Sequence, residues 1–255
     1  MARSWLCDLD GVLVREGSLV PGADRFLQAL KDTGRSFLIL TNNSMFAPRD
    51  LAARLETMGL EVPEDRLWTS ALATAKFVDA QRPEGSAYAI GEAGLHTALH
   101  DVGYVMTNRA PDYVILGETR NYSFEEITTA VRLIEGGSRF LATNPDPTGP
   151  SLEGSLPACG AVAAMIERAT GVKPYFVGKP NPLMMREGLN VLGAHASETV
   201  MIGDRMDTDV QAGIEAGLQS ILVLSGVTQA ADVDRFPYRP NRIIDSVAEL
   251  LDELV

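Results

Sequence analysis

The stretch WLCDLDGVLV, residues 5–14, sets two aspartates one residue apart directly after a short apolar run. In an extended chain, side chains at i and i+2 share a face, so Asp8 and Asp10 project into the same space. Two carboxylates roughly 4 Å apart at an effective dielectric of about 20 repel by about 4 kcal/mol. Either a cation offsets that repulsion or one carboxyl holds a proton.

The flanking sequence makes this run the first strand of a larger pattern. SWLC is followed by GADRFLQALKDTG, SFLILTNN, PRDLAARLETMG, LWTS and ALATAKFVDAQ. The helical stretches begin near Pro or a small polar residue, and the first two close at Gly34 and Gly59, which are ordinary helix start and stop signals. Strand and helix in alternation read as βαβ units on a parallel sheet. The last third repeats the cadence through PYFVG, NPLMMREGLNVLG, TVMIGD, TDVQAGIEAG, SILVLSG and RIIDSVAELLDELV.

The middle differs. SAYAIG, AGLHTALHDVG, DYVILGE, SFEEITTAVRLIEGG and RFLATN lead to a Pro- and Gly-rich loop, PDPTGPSLEGSLP, and then to the helix ACGAVAAMIERATG. The flanks AQRPEGS and TGVKP have the composition of domain boundaries. The expected fold is therefore α/β, a Rossmann-like parallel-sheet core with an inserted smaller α/β domain. The expected division is core over 1–80 and 176–255, insertion over 81–175.

The chain has 255 residues, 45% of them hydrophobic, which suffices for such a core. A net charge of −12 argues against a nucleic-acid polymer or an anionic membrane as partner, though not against a small anionic substrate. Cys7 and Cys159 sit among apolar or small residues, which fits a reducing compartment better than a disulfide framework. MARSWLC is too short an apolar stretch for a secretory signal and no run reaches membrane-spanning length, so a cytoplasmic location is expected.

Four stretches just beyond apolar runs could carry chemistry: Asp8 and Asp10; Thr41 and Asn42 in LILTNNS; Lys179 in VGKPNP; and Asp204 and Asp209 in MIGDRMDTDV. In open parallel sheets ligands bind outside the carboxyl ends of the strands, so the four can converge. Each has a plainer reading: Thr41 to Asn43 could cap a helix, Lys179 lacks the frame of a phosphate-binding P-loop, and Asp207 with Thr208 best fits a helix cap. Asp204 stands behind Gly203, which admits a close neighbour.

Together, Asp8, Asp10, Asp204 and Asp209 form a cluster that calls for a hard cation. Oxygen ligands without thiolate or imidazole favour Mg²⁺. A hydroxyl, amides and one ammonium beside such a site make a receptor for a phosphoryl group. One aspartate can then act as nucleophile, and a second, two residues on, as acid and base.

CDLDGVL, LTNNS, GKP and GDRMDTD, in that order, resemble the four motifs of the haloacid dehalogenase superfamily. The resemblance spans the whole chain. It implies Asp8 as nucleophile and Asp10 as acid/base, with Thr41, Asn42 and Lys179 holding phosphate. It also implies Mg²⁺ on the carboxylates of Asp8 and Asp204 and the carbonyl of Asp10, with Asp209 as an outer-sphere partner. Dehalogenases of that family lack the second aspartate, whereas phosphatases and mutases keep it. The long middle block resembles the type-2 cap of subclass IIA. GETRNYSF, LATNPDPTG and LPACGAVAAMIE resemble the NagD-type nucleotide phosphatases.

That resemblance implies a small phosphorylated metabolite as substrate, nucleoside monophosphates first, with phosphoglycolate, sugar phosphates and pyridoxal phosphate as alternatives. Asn144 and Asp146 become candidates for reading the leaving group, although the run after TNPD is longer and richer in proline than that type has. Some members pair through their caps, so a homodimer stays open. Two other readings fit less of the chain. A receiver-type signalling domain needs neither the insertion nor the second aspartate, and a phosphomutase usually carries a smaller helical cap. His96 and His100, at i and i+4, could pair on a metal, but no third ligand is evident and exposed helix surface is the better reading.

Overall fold

The computed structural model describes residues 4–149 and 154–254, which fall into two compact units. One comprises the chain up to Thr41, Arg49–Trp68 and the chain from Lys179 onward; the other comprises Asn42–Pro48 and Thr69–Gly178.

The first unit is built on a six-stranded sheet in the spatial order Arg242–Ile244, Gln219–Val223, Thr199–Gly203, Ser4–Asp8, Ser36–Thr41, Leu67–Thr69. Ser4–Asp8 runs parallel to both neighbours, and the strands from 199 to 244 are parallel to one another. Ser4–Asp8 and Thr199–Gly203 are buried along their whole length, which is why they read as continuous apolar runs rather than alternating ones. The helix Ala23–Asp32 packs through Ala23, Phe26, Leu27 and Leu30, a helical spacing. Pro182–Leu192 opens with the Asn181 side chain accepting the Leu183 N–H and closes on Gly193 in the left-handed region. The strand order reverses between Ser4–Asp8 and Thr199–Gly203, and that switch point fixes where the functional residues gather.

The second unit carries a five-stranded sheet in the order Tyr175–Phe176, Arg139–Ala142, Tyr113–Leu116, Ser86–Ile90, Val105–Met106, parallel throughout. Tyr113 and Ile115 meet Ser70–Gln81 and Ala93–Asp101 on one face through Ala75, Val78, Leu95 and Leu99. Val114 and Leu116 face the other way, against Ile127, Ile134, Ala163 and Ile166 of Phe124–Glu135 and Cys159–Thr170. Ser123 and Glu126 form a capping box at the start of Phe124–Glu135.

Three features differ from the sequence reading. The helix Ser70–Gln81 belongs by packing to the second unit, whereas the cadence assigns residues up to 80 to the first. Its alanine-rich sequence has no strong polar face, so periodicity does not show which core it joins. Val105–Met106 and the small ribbons Val14–Arg15 with Ser18–Leu19 and Thr148–Gly149 with Leu156–Pro157 are two residues per strand, too short to leave an alternation. RIIDSVAELLDELV divides into the strand Arg242–Ile244 and helical turns from Val247. Part of the loop PDPTGPSLEGSLP, residues 150–153, lies outside the described residues. Among the described residues no helix is long and apolar enough to cross a membrane.

The buried Tyr104 hydroxyl shares its proton between Val78 O at 2.8 Å and Arg82 O at 2.7 Å, tying the end of Ser70–Gln81 to the second unit. Tyr104→Phe is expected to cost about 1 kcal/mol and to speed amide exchange in 70–81 more than in 23–32. Equal acceleration in both helices would count against this attachment.

Candidate active site

The register of the first sheet places the site. Cys7 pairs with Ile202 on one side and Asp8 with Leu40 on the other. Asp8, Asp204 and Thr41 therefore leave three adjacent strands at their carboxyl ends, around the switch point. Lys179, buried although a lysine, brings its Nζ to 2.6 Å from Asp8 Oδ1 and 2.7 Å from Asp209 Oδ1, and donates to Leu40 O at 3.4 Å. Asp209 sits on the turn Met206–Val210, where its Oδ2 accepts from Arg205 N at 3.1 Å. The close neighbour that Gly203 admits is this side chain: a Cβ on Gly203 would overlap Asp209.

Backbone amides orient the other carboxylates. Asp8 Oδ1 accepts from Leu9 N at 2.8 Å, and Asp204 Oδ2 from Val227 N at 2.7 Å. Gly11 and Gly226 flank Asp204 so closely that a Cβ on either would collide with its carboxylate. Thr228 N donates to Asp204 O at 3.1 Å, and Ser225 Oγ to Gly11 O at 2.7 Å. This 225–228 loop was not among the sequence candidates. Its signal was present: SGVT follows the apolar run SILVL, at the end of the strand next to Thr199–Gly203 in the same sheet.

One carboxylate oxygen from each of Asp8, Asp204 and Asp209 lies within 4.8 Å of the others, and all three residues are buried. Burial and then the charge of Asp209 push the Asp8 carboxyl well above its usual range, against the pull of Lys179. Burial followed by Asp209 raises Asp204 from 3.8 to about 7. Burial would lower the Lys179 ammonium, but Asp209 and Asp8 outweigh it and raise its pKa, so it stays charged. One ammonium against three carboxylates leaves an excess of negative charge in a low-dielectric setting. A cluster of hard oxygens with that excess fits a divalent cation. Cys7 adds no ligand: burial, then the Asp8 charge, raises its thiol well above the usual range, and Sγ donates to Asp8 O at 3.2 Å.

The remaining candidates are placed as follows. Asp10 is exposed, in an isolated bridge with Val14 before the left-handed Gly11, and its carboxylate is not in the buried trio. Asp207 does not cap its helix; it pairs with the Arg205 guanidinium at 2.8 and 3.0 Å, since the helix entry is instead bonded by Asp209. Asn42, Asn144 and Asp146 lie together in the second unit, where Asp146 Oδ2 accepts from both amides at 2.8 Å. His96 is half-buried and His100 exposed, and neither joins a metal-capable group among the described residues.

Comparison with known proteins agrees with this geometry. Residues 5–105 match the family model described as haloacid dehalogenase-like hydrolase, and residues 176–250 match a HAD-hydrolase-like model. The chain is 59% identical over 249 residues to dihydroxyacetone phosphatase of Corynebacterium glutamicum, covering 98% of this chain and 90% of that protein. It is 46% identical over 249 residues to ribonucleotide monophosphatase NagD of Escherichia coli, covering 97% and 98%. The structure of 4-nitrophenylphosphatase from Thermotoga maritima superposes with a TM-score of 0.95 at 34% identity, covering 100% of this chain and 98% of that one. The ordered motifs, their convergence at one switch point and these full-length likenesses have one explanation: the chain belongs to the haloacid dehalogenase-like hydrolases and is a phosphatase of that family.

Proposed function

We propose that the chain is a Mg²⁺-dependent phosphomonoesterase that works through an aspartyl-phosphate at Asp8 and acts on small sugar phosphates of the dihydroxyacetone phosphate kind. The observation that carries the mechanism is the buried group of Asp8, Lys179, Asp204 and Asp209 at the strand switch point.

Lys179 and the Leu9 N–H hold Asp8 Oδ1, so attack on phosphorus falls to Oδ2. The new Asp8 O–P bond forms as the ester P–O bond breaks, and the leaving oxygen takes its proton from Asp10. Asp10 stands at the exposed end of the strand, where it can exchange protons with water. It then takes a proton from a water molecule that attacks phosphorus, which releases inorganic phosphate and restores Asp8. Thr41, Asn42 and Lys179 hold the phosphoryl oxygens. The residues that would hold Mg²⁺ are Asp8, Asp204 and the Asp10 carbonyl, with Asp209 beyond them. The ion would supply positive charge to offset the negative charge that builds on the phosphoryl oxygens.

The likeness to dihydroxyacetone phosphatase supports a sugar phosphate over a nucleotide. The nucleoside monophosphate reading retains the support of the 46% likeness to NagD. With a panel of monoesters, kcat/KM for dihydroxyacetone phosphate is expected to exceed that for any nucleoside monophosphate by about tenfold or more. The reverse order would assign the nucleotide.

Asp8→Asn is expected to lower kcat with 4-nitrophenyl phosphate by about 10⁴-fold or more, and retention of a tenth of the activity would exclude the nucleophile. Metal and pH should be linked through Asp204. Its folded pKa is raised from 3.8 to about 7, so proton-linked stability of the metal-free protein is complete below 3.8 and lost as pH rises through about 7. Cation binding requires the deprotonated carboxylates, so the gain in Tm from Mg²⁺ should be larger at pH 8 than at pH 5. At 100 times Kd the gain is about 2.7 kcal/mol, or roughly 5–10 °C for a chain of this size. An equal gain at both pH values would sink this linkage.

A further inference from the structure

We infer that Asp146 and Asn144 are positioning residues for the phosphate-holding Thr41, Asn42 and Lys179, acting on Asn42 directly and on Thr41 and Lys179 through Asn42 and Gly178, rather than readers of the leaving group. The inference rests on the phosphatase reading above. Asn42 follows Thr41 in the chain and Gly178 precedes Lys179, so Thr41 and Lys179 each stand at one of the four places where the chain passes between its units.

Asn42 and Gly178 are both gripped by one polar cluster at the exit of Arg139–Ala142. Asp146 Oδ2 accepts from Asn42 Nδ2 and Asn144 Nδ2, each at 2.8 Å. Asn144 is fully buried; its Oδ1 accepts from Thr143 Oγ1 at 2.8 Å and its Nδ2 donates to Glu118 Oε1 at 3.2 Å. Gly178 N donates to Thr143 O at 2.7 Å, and Asn42 O accepts from Ser70 Oγ at 2.6 Å. A Cβ on Gly178 would overlap Thr143 O and stand 2.6 Å from Asn42 Oδ1. Asn42 and Gly178 thus lie against each other, and the cluster fixes their separation.

The chain beyond Asn42 is gripped as well. The second sheet reverses its order between Ser86–Ile90 and Tyr113–Leu116, the place where such sheets usually bind ligands. Here the crossing itself lies at that place. Ser44 Oγ accepts from Glu118 N at 2.8 Å, Met45 O accepts from Gly94 N at 2.9 Å, and a Cβ on Gly94 would come within 2.5–2.7 Å of the Phe46 backbone. A carboxylate accepting two amides and a buried asparagine bonded at both ends serve to hold geometry. Displacing a positioning group by about 1 Å is enough to cost catalysis heavily.

The two roles separate on inorganic phosphate, which has no leaving group. With full-length protein and Mg²⁺, calorimetry gives the phosphate Kd, and kinetics give kcat/KM for 4-nitrophenyl phosphate and dihydroxyacetone phosphate. Asp146→Ala is expected to weaken phosphate binding by about tenfold and to lower kcat/KM for both esters by one common factor. Asp146→Asn keeps an acceptor and should recover most of the loss; it also serves if the alanine variant does not fold. Gly178→Ala, beside Lys179, should likewise weaken phosphate. Unchanged phosphate affinity in Asp146→Ala, with a changed ratio between the two esters, would make Asp146 a leaving-group reader and overturn the inference. So would unchanged affinity in Gly178→Ala. A wild type that hydrolyses no phosphate ester defeats the functional reading alone, since the phosphate-binding comparison does not require turnover.

Discussion

The contact on which the site depends is the buried ammonium of Lys179 between two carboxylates, 2.6 Å from Asp8 and 2.7 Å from Asp209. A lysine taken out of water without partners gives up its proton; here the opposing charges keep it protonated. The reverse also holds, because Asp8 is buried beside Asp209 and Asp204, and Lys179 is the cation that restrains its pKa. The remaining negative charge makes the site receptive to a metal ion. Gly11, Gly203 and Gly226 pack so closely against the Asp204 and Asp209 carboxylates that none has room for a side chain.

Residues 8, 41, 179, 204 and 209 span most of the chain, and the parallel sheet is what brings them together. Parallel strands put all their carboxyl ends on one edge. The reversal of strand order leaves the ends of Ser4–Asp8 and Thr199–Gly203 without helices crossing above them on the same side. Asp8 and Asp204 emerge side by side at that point, and the loop 225–228 holds Asp204 from the next strand. The chain leaves this unit after Thr41, rejoins it over Arg49–Trp68, leaves again at Thr69 and returns at Lys179.

The family, the sheet type and the chemistry were legible in the sequence because they rest on local signals. Fully buried parallel strands must be continuous apolar runs, and WLCD, FLILT and VMIGD each end at a candidate residue of the site. Helix limits were legible for the same reason, through Pro182, Ser123, Gly34 and Gly193. Elements of two residues leave no periodic signal, and an alanine-rich helix such as Ser70–Gln81 carries no face that names its partner.

What the sequence by itself determined was the inventory: two aspartates one residue apart after an apolar run, a hydroxyl, a lysine and a second acidic pair, in an order that fits one reaction. The tertiary structure decided which of these act together. It separated exposed Asp10 from the buried trio, and paired Asp207 with Arg205. It joined Asn144 and Asp146 to Asn42, 104 residues away from Asp146 in the chain. Such pairings are set by hydrogen bonds between groups far apart in the sequence, and no local pattern of residue types encodes their distance.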